Sequence, residues 1–349
     1  MSGGVDSSVS AALLKQAGHN VTGVFIKVWQ PDWIECNWKE ERIEAMRAAA
    51  HLDIPFITLD LEKEYKQGVI DYMIAEYAAG RTPNPDVMCN REVKFGAFWK
   101  WAEKRGADFI ATGHYAQNKD GRLHMGIDQN KDQSYFLWTL NRNDLKHVLF
   151  PVGEMTKPEV RALAKKFKLP NADKKDSQGL CFIGKVDVKE FLAHYSKDNP
   201  ASKLGKVLNE KGEVIGSHPG SLFFTIGERH GFEIDPRHKT SQDLPLFVVS
   251  KDVKANTITV SDRSKVRPIE VRPISIERIN FVNEIPVIGT QLKARTRYRQ
   301  PLQNIEITSV SVNQGKLEVT FKEIQDTITP GQSLVIYDGD KCLGGGLIS

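Results

Sequence analysis

At 349 residues the chain is too long for one typical hydrophobic core, so two or three domains are expected. Hydrophobic residues make up 40% and charged residues 26%, as in an ordinary globular protein, and no apolar run approaches the roughly 18 residues of a membrane span. The net charge of +4 neither demands nor excludes a nucleic-acid partner, and four scattered cysteines without a Cys-x-x-Cys pair exclude a disulfide scaffold or a zinc finger.

The first residues, Met1-Ser2-Gly3-Gly4, lack the basic and apolar regions of a signal peptide, so a cytoplasmic location is expected, with an organelle matrix the alternative. Ser2-Gly3-Gly4-Val5-Asp6-Ser7-Ser8 then runs into a helical pattern, Ser7 to Ala17. Two glycines allow a tight turn, and the helix start and the serine hydroxyls supply donors to one anion. A Ser/Asp helix cap after a glycine turn is the simpler alternative. The string is not a Walker loop, because no Gly-Lys-Ser/Thr ending follows.

Short runs rich in β-branched or aromatic residues follow at Thr22–Trp29, Ile54–Leu61 and Asp108–Tyr115. Helical patterns at Lys39–Leu52, Tyr65–Ala79 and Lys94–Arg105 separate them, so the fold class is α/β with a parallel sheet. Between two of these lies Gly80 to Asn90, where Pro83 and Pro85 point to a stiff extended loop presenting Asp86 and Cys89. Arg91 and Lys94 would favour a thiolate at Cys89. Lys157–Phe167 and Val186–Tyr195 add two helices, the first opened by the capping signal Thr156-Lys157-Pro158-Glu159. Between these helices, Asp176 to Gly184 carries Cys181 with Lys174, Lys175 and Lys185 around it.

Helical periodicity stops near Asn199-Pro200. Short strands broken by Gly, Pro, Asn and Asp take over, at Asn256–Val260, Gln291–Tyr298, Gln303–Val312, Lys316–Phe321 and Ser333–Tyr337, with a turn at Asn209–Gly212. This gives a division into 1–198, a catalytic α/β domain, 199–270, a central β domain, and 271–349, a C-terminal β-barrel. Arg295, Arg297 and Arg299 alternate on the last of these, so they are expected to share one strand face and offer forks to phosphates. Arg229-His230, Arg237-His238-Lys239 and Arg263 to Arg272 add positive charge.

The opening loop resembles the pyrophosphate loop of the ATP pyrophosphatases, in which it follows a first strand. That strand is expected to be missing here, which would leave unpaired sheet edges. Taken together, several motifs resemble the tRNA-specific 2-thiouridylase family. They are this loop, Ala111-Thr112-Gly113-His114-Tyr115, the Asn84-Pro85-Asp86 cysteine loop, Lys131-Asp132-Gln133-Ser134-Tyr135-Phe136 and Gly179-Leu180-Cys181-Phe182-Ile183-Gly184. Late in the chain, Thr296-Arg297-Tyr298-Arg299-Gln300, Pro330-Gly331-Gln332 and Cys342-Leu343-Gly344-Gly345-Gly346 join them.

The resemblance implies ATP, with Mg2+ accompanying the nucleotide and no resident metal. ATP would be held by Ser2, Gly3, Gly4, Val5, Asp6, Ser7, Ser8, Ile26 and Gly113. It implies adenylation of a wobble uridine in tRNA, then sulfur delivery from a persulfide on Cys181, loaded by a sulfur-relay donor protein. Cys89 would be the second thiol, closing a disulfide with Cys181, and Asp86 would assist at the base. Asn84, Pro85 and Asp86 would meet that base, while His114, Lys131, Asp132, Gln133, Arg297, Tyr298 and Gln332 would meet tRNA. Ile26 stands where the family often has Met. Cys36 has no assignable role, and Cys342 reads as a packed residue. An amidating synthetase would share the first loop but needs neither cysteine, and a non-catalytic RNA-binding module would need no ATP. An iron–sulfur cluster would have to recruit a third cysteine.

Overall fold

The structure, a computed structural model, describes residues 1–33, 38–176, 187–238, 244–262, 273–282, 284–323, 325 and 328–349. The sequence expectations for Cys36, Cys181, Lys185, Lys239 and Arg263 to Arg272 lie outside these residues.

The chain enters directly through a helix, Val5–Gln16, which leads to β1 (Gly23–Lys27). A second helix, Trp38–His51, buries an alanine stripe of Ala45, Ala48 and Ala49 and returns the chain to β2 (Phe56–Asp60), parallel to β1. Further on, β3 (Ile110–Ala111) leads to a hairpin of β4 (Ala116–Lys119) and β5 (Arg122–Met125), and β6 (Val148–Leu149) pairs in parallel with β3. Among the described residues of this first unit the parallel strands therefore form two separate pairs rather than one continuous sheet. The expected strand over Asp108–Tyr115 shrinks to two residues.

The stretch read as a stiff extended loop is non-helical only as far as Asn84 and is helical from Pro85 onward. Asn84 caps it, accepting a hydrogen bond from the Val87 amide at 3.3 Å, and Pro85 takes the first helical position, where its missing N–H costs nothing. Pro85–Met88 continues into a π-helical stretch, Cys89–Ala97, and then Phe98–Glu103. Asp86 and Cys89 thus sit one turn apart on a continuous helical element.

Beyond the helix Val188–Tyr195, the chain is mostly strand. β7 (Gly205–Leu208), β8 (Val214–His218), β9 (Glu233–Ile234), β10 (Leu246–Asp252) and β11 (Thr257–Asp262) form one sheet in the order β10-β11-β7-β8-β9. It closes over Leu192, Ala201, Leu222 and Phe224. The last unit contains β12 (Ile274–Phe281), β13 (Gln291–Arg295), β14 (Gln303–Ser311), β15 (Lys316–Phe321), β16 (Ser333–Asp338) and β17 (Lys341–Ile348). Pairing of β12 with both β15 and β17 closes these strands into a barrel. None of the described helices is long and apolar enough to cross a membrane.

The β4–β5 hairpin extends the barrel's sheet, Lys341 pairing with His124 and the Met125 amide bonding Asp340 O at 2.8 Å. An apolar core shared by the two units follows: Ala116, Leu123, Tyr135 and Leu140 pack with Val335, Tyr337 and Cys342. Burial pushes the Cys342 thiol up to about 12, so it stays protonated and acts as a packed residue.

At the centre of this junction Asp132 and Arg295 form a buried ion pair. Asp132 Oδ1 accepts from the amides of Gly126 and Ser134 at 3.0 and 3.1 Å, and Arg295 Nε donates to the Tyr337 hydroxyl at 3.2 Å. β13 ends at Arg295, and Arg299 has a left-handed φ of 63°, so the expected row of three arginines on one face does not form. Arg295 turns inward to its carboxylate partner, while Arg297 and Arg299 are exposed.

Removing one member strands a buried charge. Arg295→Met is therefore expected to cost about 3–5 kcal/mol, and the double variant Asp132→Asn/Arg295→Met less than the sum of the two single changes. Denaturant unfolding of the four proteins measures this coupling; simple additivity would contradict it.

Candidate active site

The opening turn is held from several directions. Gly3 has φ of +77°, and a Cβ there would lie 2.5 Å from Glu41 O, so the position requires glycine. Gly113 is equally confined: its Cβ would meet the Asp6 carbonyl carbon and the Ser7 nitrogen at 2.8 Å. Gly4 is the extended residue before the helix, and the Ser7 and Ser8 hydroxyls both donate to its carbonyl at 3.1 Å. Asn171, buried and far along the sequence, donates to Gly3 O at 2.9 Å and Ser8 Oγ at 3.0 Å. The turn thus keeps a helix N-terminus, with its unbonded first amides, open to an anion.

Asp6 does not point freely into that space. Lys157 Nζ binds both its oxygens, at 2.7 and 2.9 Å, and the Tyr115 hydroxyl donates to Oδ1 at 2.9 Å. The same buried ammonium lies 2.8 Å from Asp176 Oδ1. Asp176 is held further by Lys131 at 2.5 Å and Arg161 at 3.1 Å. Desolvation acts to raise the Asp176 pKa, but hydrogen bonds to Lys131 and Lys157, with their charges, outweigh it and bring it to about 2.

The turn opens on a groove of about 1580 Å3. Ser2, Gly4 to Ser7, Ile26, Gly113 and His114 line one part of it. Asp86, Asn90, Lys94, Lys131, Gln133 and Tyr298 line another. The Gln133 side chain accepts from the Tyr115 amide at 3.1 Å. His114 is buried against Phe95 and Phe150, its Nδ1 2.7 Å from the Thr112 hydroxyl. Burial, then the Lys94 charge, lowers its pKa well below the ordinary range, so it is neutral at physiological pH.

Asp132, expected among the tRNA contacts, has no exposed side-chain surface. Its engagement with Arg295 makes it a support for the flanking Lys131 and Gln133. Arg297 and Gln332 stand at a neighbouring pocket, where the Gln332 amide donates to Thr82 O at 2.9 Å and Pro83 O at 3.4 Å, just before Asn84. Cys89 is fully buried with Val69, Ile70, Met73 and Val93, and is absent from the groove wall that Asp86 and Asn90 line.

Sequence reasoning did not assign Lys157, Asn171 or Asp176 to the site. Lys157 carried a signal as part of a helix cap, and Asp176 opened the second cysteine motif; Asn171 carried none. No group of three His, Cys, Asp or Glu side chains among the described residues is arranged to hold a metal.

These features define an α/β unit with an anion-ready turn, joined to two β units. The tRNA methyl transferase HUP domain family matches residues 1–185, its PRC-barrel domain residues 189–262, and the aminomethyltransferase β-barrel domain residues 271–348. The tRNA-specific 2-thiouridylase MnmA of Streptococcus mutans is 45% identical over 356 aligned positions, covering 100% of this chain and 93% of its own. That of Streptococcus sanguinis is 44% identical with the same coverage. The chain belongs to the tRNA-specific 2-thiouridylase family. Among solved structures, an NMN synthetase from Francisella tularensis aligns at a TM-score of 0.35 and 17% identity, over 54% of this chain and 68% of its own.

Asp176 supplies a pH test. Its folded pKa is depressed, so its stabilisation is complete above the unfolded value of 3.8 and is lost as pH falls through about 2. Asp176→Asn is expected to flatten the stability profile between those limits, measured by thermal unfolding; an unchanged acid limb would contradict the assignment.

Proposed function

We propose that the protein is an ATP-dependent enzyme that thiolates the wobble uridine of tRNA at C2. The observation supporting this reading is that the anion-ready turn, Ser2–Ser8, opens on the same groove as Asp86, Lys131, Gln133 and Tyr298. A nucleotide gripped at the turn would face a flipped pyrimidine entering from the Asp86 side.

In this reading the turn and Gly113 hold ATP, with Ile26 against the adenine. Mg2+ would arrive with the triphosphate, taking mostly phosphate and water oxygens. The uracil O2 attacks the α-phosphorus and pyrophosphate leaves, turning a poor leaving group into AMP. Asn84, Pro85 and Asp86 position the base. Cys181, loaded as a persulfide by a sulfur-relay donor protein, attacks C2 with its terminal sulfur, and AMP departs with the original oxygen. The Cys89 thiolate then attacks the Cys181 Sγ, and the S–S bonding electrons pass to the transferred sulfur. The Cys89–Cys181 disulfide that remains needs an external thiol to reset it. For this step Cys89 has to turn from its apolar cluster toward the groove. We place the enzyme in the cytoplasm, with a catalytic unit at 1–198, a central unit at 199–270 and a barrel at 271–349. His114, Lys131, Gln133, Arg297, Tyr298 and Gln332 serve the RNA.

Single Cys89→Ser and Cys181→Ser variants separate activation from sulfur transfer. Each is expected to lose 2-thiouridine by about a thousandfold or more, while tRNA-dependent pyrophosphate release persists. Nucleoside analysis and a pyrophosphate assay read the two steps. Undiminished 2-thiouridine in either variant would contradict the cysteine relay, and pyrophosphate release driven by a small carboxylate without tRNA would favour a synthetase.

A further inference from the structure

A second cavity of about 350 Å3 lies beside the groove, near the lower end of the roughly 300–1,000 Å3 typical of ligand pockets. Thr225, Ile226, Gly227 and Glu228 of the central unit form one wall, and Arg297, Thr329 and Gln332 of the barrel form the other. Its location is pinned to the catalytic unit. The Thr82 amide donates to Pro330 O at 2.8 Å, the Gln332 amide donates to Thr82 O at 2.9 Å, and the Thr82 and Thr225 hydroxyls are 3.4 Å apart. Thr82 leads directly into Asn84, Pro85 and Asp86, so the cavity adjoins the place proposed for the target base.

We propose that this cavity receives the nucleoside part of a nucleotide next to the target uridine, and that the central unit contacts the RNA there through Ile226. The inference rests on the thiolation reading and deepens it. The chemistry of the walls favours a base or ribose over a phosphate. One Arg297 N–H goes to Thr329 Oγ1 at 3.1 Å, and the side chain is otherwise exposed, with donors left to offer. The Gln332 side-chain carbonyl accepts from no described residue, so a donor and an acceptor stand side by side, as a base edge requires. The Glu228 carboxylate, held by Lys189 and by the Thr225 amide at 3.1 Å, would repel a phosphate. Ile226, half-buried, gives the cavity an apolar face for a ring.

The test measures the affinity of an anticodon stem-loop RNA for the wild type, Ile226→Trp and Ile226→Ala. Each protein is titrated with intact RNA and with RNA made abasic on either side of the target. Trp would intrude into the cavity from its apolar wall, whereas Ala removes the apolar face without adding bulk, so Ala keeps the test valid if the Trp variant folds poorly. For the wild type, one abasic change is expected to weaken binding about tenfold. Ile226→Trp should weaken intact RNA by a similar factor and show no further loss on that abasic RNA. The Ala variant should show the same lack of additivity with a smaller first loss. Independent, multiplying losses, or unchanged affinity in both variants, would overturn the proposal. Thiolation of the intact RNA by the wild type is scored separately, so failure of the catalytic reading is distinguishable from failure of this subsite.

Discussion

One ammonium group organises the end of this protein that holds the opening turn. Lys157 is buried between Asp6 of the opening turn and Asp176, and it binds both carboxylates within hydrogen-bond distance. A buried ammonium is stable there because two carboxylates meet it, and without the lysine those two like charges would stand close together without their shared partner. The cluster therefore fixes Asp6 on the first turn of a helix whose amide end must stay open. Tyr115 and Asn171 complete the brace from two other segments, so the turn's shape is a tertiary property although its composition is local.

A second constraint sets the opposite wall. The β4–β5 hairpin continues the barrel's sheet, and the apolar core between them has a polar centre, Asp132 with Arg295, Ser134 and Tyr337. Buried charges of this kind contribute little net stability but are costly to leave unpaired, which favours one register of barrel against catalytic unit. Lys131 and Gln133 flank the pair on one side and Arg297 and Tyr298 lie just beyond it on the other. A shift of the barrel would move Arg297 and Tyr298 relative to the opening turn.

Much of this was legible in residues whose role is local. Ser2 to Ser8 carries its turn and its helix start within seven positions, and the alternation of strand and helix announces a parallel α/β unit. Pro85 misled because a proline breaks a helix interior but suits its first position, and the cue was Asn84, a capping residue directly before it. Asp120-Gly121 was an overlooked hairpin signal: both residues have positive φ, at 54° and 75°, as a tight two-residue turn requires. Arg295 could not be read alone, since strand alternation sets a face but not which partner waits there. Asn171 and Lys157 reach partners in the opening turn more than 150 positions away, and nothing in their neighbourhood foretells that.

The central claim is that ATP is spent on the uracil oxygen itself. Single-turnover reaction of tRNA carrying 18O at C2 of the target uridine, followed by mass spectrometry of the AMP, tests it directly. The account predicts one labelled oxygen in AMP for each 2-thiouridine formed. Unlabelled AMP with label retained in the RNA or released to water would contradict it.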